Sequence, residues 1–203
     1  MIKVYGSPRS SAGRVYWTLE ELSLGYEHVK INMSEKEHKA ENFLKLNPNG
    51  KIPHLTDGTF NIWESVAIVN YLADKYRPEL LGATAEIRGT AQQWSIWAIL
   101  ELQKPLIDIL IQKVFVPEDK RNHALIEKSE RDSQPLLIIL DKALENRKFI
   151  AGDTFTVADI NLASVIGITW AIPMDISAFK NVKAYMQHMM DRPGFQKYSK
   201  LLN

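Results

Sequence analysis

Asn47-Pro48-Asn49-Gly50-Lys51-Ile52-Pro53-His54-Leu55, followed closely by Trp63-Glu64-Ser65, is the stretch that decides the reading of this chain. It reads as a loop, a strand opening at a proline, a turn at Asp57-Gly58, a second strand, and a helix beginning at Glu64-Ser65. A proline that opens a strand donates no ladder hydrogen bond. If the Ile52–Pro53 bond is cis, the backbone of Ile52 turns outward, where an extended peptide can pair with it. At the helix start, free N–H groups and the helix dipole attract a carboxylate, and the Ser65 hydroxyl adds a donor. Glu64 can face an amino group. One place would therefore hold an α-amino acid head beside a peptide backbone.

Outward from this stretch, the first part of the chain is compact and mixed. Residues 2–5 suggest a short buried strand, broken by Gly6-Ser7-Pro8. Val15, Trp17, Leu19 and Leu22 carry a helix over about residues 11–24, closed by Gly25. A strand over 26–31, a polar helix over 37–46, strands near 54–57 and 60–62 and a helix over 64–76 follow. The order β-α-β-α-β-β-α fills residues 1–77. Residues 78–84 read as a linker, and 85–203 as a second, all-helical domain. There, one helical pattern runs over 85–115 with Pro105 inside it, and a second over 118–146 with Pro135 inside it. Thr156-x-x-Asp159 after Phe155 is a capping box starting a helix that Pro173 ends. A further helix covers about 178–191, and Asp191-Arg192-Pro193-Gly194 breaks it before the tail. Trp94, Trp97 and Trp170 read as core or interface aromatics.

Composition narrows the chemistry. The 203 residues are 45 % hydrophobic and 24 % charged with net charge +1, so nothing signals a nucleic-acid or membrane partner. Cysteine is absent, which excludes disulfides, thiolate zinc sites and any enzyme thiol nucleophile. Any reactive sulfur must come from a substrate. No apolar run reaches the ~18 residues of a membrane span. Lys3, Arg9 and Arg14 interrupt any signal-peptide core, so a soluble, cytoplasmic protein is expected. The histidines have no metal-ligand spacing, and no metal or resident cofactor is expected.

The Asn47–Pro53 and Trp63-Glu64-Ser65 segments resemble the glutathione S-transferase superfamily, whose thioredoxin-like domain carries N-P-x-G-x-[IV]-P and then [WF]-E-S. The opening Ile2–Ser11, the run Val15–Leu22 and the stretch Phe149–Ile160 are similar to the family too, so the resemblance covers nearly the whole chain. The opening is most similar to bacterial chi-type enzymes, with phi and theta similarity. The resemblance implies a thioredoxin-like α/β domain before an all-α domain, a homodimer, and glutathione as co-substrate. It implies conjugation of the glutathione thiol to a hydrophobic electrophile, such as an aryl halide, isothiocyanate or epoxide, with glutathione-dependent peroxidase activity alongside. The alternatives on this fold are a glutathione-dependent isomerase, dehalogenase or disulfide-bond reductase, or a non-catalytic hydrophobic-ligand carrier or interaction module.

Such chemistry needs a thiolate from a thiol whose pKa is about 8.5 when free. A hydroxyl donor near a helix N-terminus supplies part of the shift. Relatives carry a serine in the loop before the first helix. Spacing to Arg14 favours Ser10, with Ser11 behind it and Tyr5, at the end of the strand, third; the alternative role for either serine is a helix cap. Arg9 could stabilise the anion, or be a solvated loop charge. By the same resemblance Glu64 and Ser65 hold the γ-glutamyl head, Ile52 and Pro53 the peptide, and His38, Lys39 and Lys51 the glycine carboxylate. Val66 stands where many relatives have an arginine, so the resemblance does not carry over that contact to the γ-glutamyl carboxylate. Asp159 is assigned to folding. The electrophile pocket is expected between the first loop and the helix near 97–110.

Overall fold

The computed structural model describes residues 1–202 and divides into two compact units. One comprises residues 1–81 together with the chain from Asp191 onward, and the other Gly82–Met190.

In the first unit, β1 (Ile2–Tyr5) leads through a loop to α1 (Gly13–Leu22), and β2 (Tyr26–Val29) returns parallel to β1. A 3-10 turn at Glu37–Lys39 and α2 (Glu41–Leu44) precede β3 (His54–Asp57), β4 (Phe60–Trp63) and α3 (Ser65–Tyr76). β3 runs antiparallel to both neighbours, giving the order β2-β1-β3-β4. Alternation along the strands divides the two faces. Ile2, Val4 and Leu55 are buried with Val15, Leu19, Ile68, Val69 and Leu72 of α1 and α3. Each such side chain contributes roughly 1.5–3 kcal/mol. On the other face the Tyr5 ring lies 6.2 Å from Phe43 of α2 and 5.3 Å from His54. Asp57 accepts hydrogen bonds from Tyr71 (2.9 Å), Lys75 (2.6 Å) and Tyr76 (2.6 Å), which ties the β3–β4 turn to the end of α3.

Boundaries differ from the sequence expectation for local reasons. α1 stops at Leu22 because Ser23, not Gly25, takes the left-handed cap (φ 53°). The expected 37–46 helix is two pieces, since Ala40 is extended (φ −69°, ψ 149°). The expected 85–203 domain also loses its end. α9 (Pro193–Ser199) packs against α1 in the first unit, with Phe195 and Tyr198 on Trp17 and Arg192 forming a bidentate pair with Glu21.

The second unit is helical. α4 (Ala85–Trp97) and α5 (Gln103–Leu110) are joined by a π turn over Ala98–Leu102, and a second π turn over Ile111–Phe115 follows. The first π turn lies just ahead of Pro105, whose missing N–H breaks the ordinary ladder. α6 (His123–Ala143) runs on through Pro135, and α7 (Val157–Ile166) and α8 (Lys180–Met190) complete the unit. Leu102, Leu106, Ile109, Leu137, Leu140 and Ile160 are buried. The capping box before α7 is present: Asp159 accepts from the N–H of Ile150 and of Thr156, each at 2.8 Å, and from Tyr185 at 3.0 Å. Trp94 and Trp97 are half-buried and meet edge-to-face, while Trp170 is exposed. No described helix is long and apolar enough to cross a membrane.

Candidate active site

The site is built at the end of the sheet where β1 exits and β3 begins, where crossover loops of open α/β sheets gather. Gly6 (φ 127°) turns the chain out of β1, and a Cβ there would lie 3.0 Å from the Cβ of Ile52. Pairing of Tyr5 with His54, and of His54 with Trp63, then puts the β1 exit, the Ile52–Pro53 step and the start of α3 side by side. The Ile52–Pro53 bond is cis, the geometry considered from sequence.

The two candidate serines have different surroundings. Ser10 is consumed by its own loop. Its hydroxyl donates to the Ser7 carbonyl (2.7 Å) and accepts from the Ala12 N–H (3.2 Å). The Ser10 amide bonds Ser7 (3.0 Å), and Gly13 N–H donates to the Ser10 carbonyl (2.8 Å). Ser10 therefore organises the turn into α1. The Ser11 hydroxyl is exposed and reaches across the chain to the Ile52 carbonyl at 3.3 Å. A long bond of this kind is readily exchanged for a ligand's groups. Tyr5 lies elsewhere. Its ring lines a groove of about 420 Å³ on the α2 face, with Val29, Ile31, Asn42 and Phe43. Arg9 is turned to the C-terminal tail, where its guanidinium donates to the Leu202 carbonyl.

The remaining candidates fall into two groups. Asn47, buried, shapes the first: its side chain donates to the Lys51 carbonyl (2.7 Å) and accepts from the Asn49 N–H (3.0 Å). Gly50, at φ 55°, leaves no room for a Cβ, which would lie 2.7 Å from the His38 carbonyl and 2.8 Å from the Lys39 ammonium. Lys39 donates to the Asn49 carbonyl (3.1 Å), and Lys51 next to it is exposed. The Lys39 ammonium and the His38 backbone thus meet at the Asn49–Gly50 turn, with Lys51 next in sequence. The second group is Glu64 and Ser65 at the start of α3. Glu64 is exposed at φ 70°, ψ 112°, and its side chain makes no cap bond among the described residues. That backbone region costs a residue with a Cβ of order 1–3 kcal/mol and concentrates at functional sites. Its carboxylate is left to face solvent at a helix N-terminus.

Two residues of this region receive no site role from the sequence. Asn47 opens the N-P-x-G-x-[IV]-P motif, yet the motif assigns its side chain no role. Arg14 reads from sequence only as a spacing mark, yet its guanidinium is almost wholly buried in the first turn of α1. Desolvation pulls its pKa down to about 10, so it still carries a full charge at neutral pH.

Comparisons with known proteins identify the family. The family model for the glutathione S-transferase N-terminal domain matches residues 1–74, and that for the C-terminal domain matches residues 105–193. Glutathione S-transferase F9 of Arabidopsis thaliana is 31 % identical over 211 residues, covering 97 % of this chain and 95 % of its own. Glutathione S-transferase GstB of Escherichia coli K12 is 32 % identical over 201 residues, covering 97 % of each chain. A structure of glutathione S-transferase I from mais, in complex with an atrazine glutathione conjugate, superposes with TM-score 0.90 at 32 % identity, over 98 % of this chain and 97 % of that one. With both domain models matched in order and relatives aligned from end to end, the chain belongs to the glutathione S-transferase family and is a glutathione-conjugating enzyme.

Proposed function

We propose that this transferase activates the glutathione thiol with Ser11, and that Ser10 serves the loop instead. The observation that carries the reading is the contrast between the two hydroxyls: Ser10 is saturated by Ser7 and Ala12, while the exposed Ser11 hydroxyl makes a long, exchangeable bond to the Ile52 carbonyl at 3.3 Å. A peptide extended along Ile52 would pair with that carbonyl and the neighbouring amide, bringing its cysteine to the Ser11 hydroxyl. The released hydroxyl then donates to sulfur, and the positive end of α1 and the buried Arg14 charge favour the thiolate. The γ-glutamyl carboxylate takes the start of α3 with Ser65, its ammonium faces Glu64, and the glycine carboxylate meets His38, Lys39 and Lys51. Catalysis is positioning plus thiolate stabilisation, without a covalent enzyme intermediate. The electrophile is hydrophobic, and peroxide reduction by glutathione accompanies conjugation. The family resemblance extends the reading to a cytoplasmic protein and to a homodimer, and light scattering of the purified chain checks the dimer.

Conjugation kinetics with an aryl halide test the assignment. A hydrogen bond to a charged group contributes about 1.5–3 kcal/mol, so Ser11→Ala is expected to lower kcat/KM by roughly 10- to 100-fold. Ser10→Ala should stay within about 5-fold of wild type, a loss of order 1 kcal/mol. The reverse order would return the role to Ser10.

A further inference from the structure

The loop that carries Ser10 and Ser11 is held from two sides. One is the Ser11–Ile52 contact. The other comes from the far end of the chain. The Tyr198 hydroxyl of α9 donates to the Pro8 carbonyl at 3.0 Å, across 190 residues of sequence. The Leu202 carbonyl accepts from Arg9 in the same loop. Tyr198 is itself fixed: its ring lies parallel to Trp17 (6.4 Å, 4°) and edge-on to Phe195 (5.8 Å). Gly13, the first residue of α1, completes the arrangement. A Cβ at Gly13 would collide with the Tyr198 hydroxyl and lie 2.7 Å from the Pro8 carbonyl. The phenol thus occupies the space that a side chain at Gly13 would need.

Electrostatics keep this contact intact across ordinary pH. Burial pushes the Tyr198 phenol up to about 12, against the buried Arg14 guanidinium that faces it from α1. Arg9 lies on the loop side, and the Arg192–Glu21 pair anchors the start of α9. The phenol is a proton donor at every pH at which the enzyme would work.

We infer that Tyr198 is a positioning residue for the thiol-activating hydroxyl: through the Pro8 carbonyl it sets the loop on which Ser11 stands. This rests on the reading of Ser11 given above. A displacement of about 1 Å in a catalytic group is enough to cost up to two orders of magnitude in rate. The strap needs no contact with substrate to matter.

Tyr198→Phe tests it, since the ring stays against Trp17 and Phe195 while the donor is lost. The expected result is an unchanged glutathione KM, a kcat lowered roughly 3- to 10-fold at pH 6.5 and recovering as pH rises, and a bound-thiol pKa above wild type. Gly13→Ala attacks the same contact from the other side and should shift the pH profile in the same direction. In parallel, hydrogen exchange at the Ser10 and Gly13 amides, both bonded within the loop, should quicken about tenfold in Tyr198→Phe. An unchanged pH profile and unchanged exchange in a folded Tyr198→Phe enzyme would overturn the inference. If the wild type itself binds glutathione without lowering its thiol pKa, the Ser11 reading fails separately. Exchange then decides the strap alone: faster exchange supports it and no change overturns it.

Discussion

The Ser10 hydroxyl is engaged by the Ser7 carbonyl and the Ala12 amide, while the neighbouring Ser11 hydroxyl reaches the Ile52 carbonyl at 3.3 Å. Ser10 and Ser11 are adjacent and chemically identical, and spacing to Arg14 points to Ser10. Only the fold shows that the Ser7 carbonyl and Ala12 amide engage one hydroxyl while Ile52, 41 residues away, meets the other. Glu64 is the opposite case, since Trp63-Glu64-Ser65 marks it plainly and the structure adds its backbone strain at φ 70°. That strain separates stability from binding. Glu64→Gly should be more stable than Glu64→Ala by about 1 kcal/mol, because glycine adopts φ > 0 without a Cβ clash. Both should bind glutathione about tenfold more weakly, a loss near 1.4 kcal/mol, if the carboxylate faces the substrate's ammonium. Thermal unfolding and titration of the two variants check this; equal stabilities would show that the strain is not felt.

At the scale of elements, strong periodicity was legible and cap details were not. The order β-α-β-α-β-β-α emerges from alternation in residues 2–5 and 54–57 and from the 3.6-residue spacing in α1 and α3. The end of α1 is not legible because Gly25 looks like a cap while Ser23 adopts the left-handed turn two residues earlier. α9 is hidden because Asp191-Arg192-Pro193-Gly194 reads as a break, although a proline is well suited to the first turn of a new helix. The Thr156–Asp159 box, by contrast, is a local pattern and needed no tertiary information. It yields a pH prediction. Burial raises the Asp159 carboxyl to about 6, from 3.8 in the unfolded chain, despite its hydrogen bonds. The native state therefore holds the extra proton between those values, and this group's contribution to stability falls as pH rises through that window. Wild type should lose stability relative to Asp159→Asn from about pH 4 to pH 6, then run parallel to it. Asp159→Ala, which leaves the Ile150 and Thr156 amides unpaired, should cost about 3 kcal/mol at pH 5. Denaturant titrations across pH give both numbers.

At the scale of the whole molecule, the boundary between an α/β part and an all-helical part shows in composition, because strand signals cease after residue 77. The return of the chain does not show, because nothing local says that residue 192 pairs with residue 21. The first unit is closed by its last segment, so removing residues 191–203 should uncover Trp17. A red-shifted tryptophan emission and a lower unfolding temperature are the expected outcome. Unchanged emission would mean that α9 contributes nothing to that core.

On the reading proposed above, Ser11 stabilises a glutathione thiolate at the end of this sheet. The most direct test of this role is the pH titration of thiolate absorbance for glutathione bound to wild type, Ser10→Ala and Ser11→Ala. The expected result is a bound-thiol pKa well below 8.5 in wild type and Ser10→Ala, rising by about one to two units in Ser11→Ala. A pKa near that of the free thiol in wild type, or a rise confined to Ser10→Ala, would contradict it.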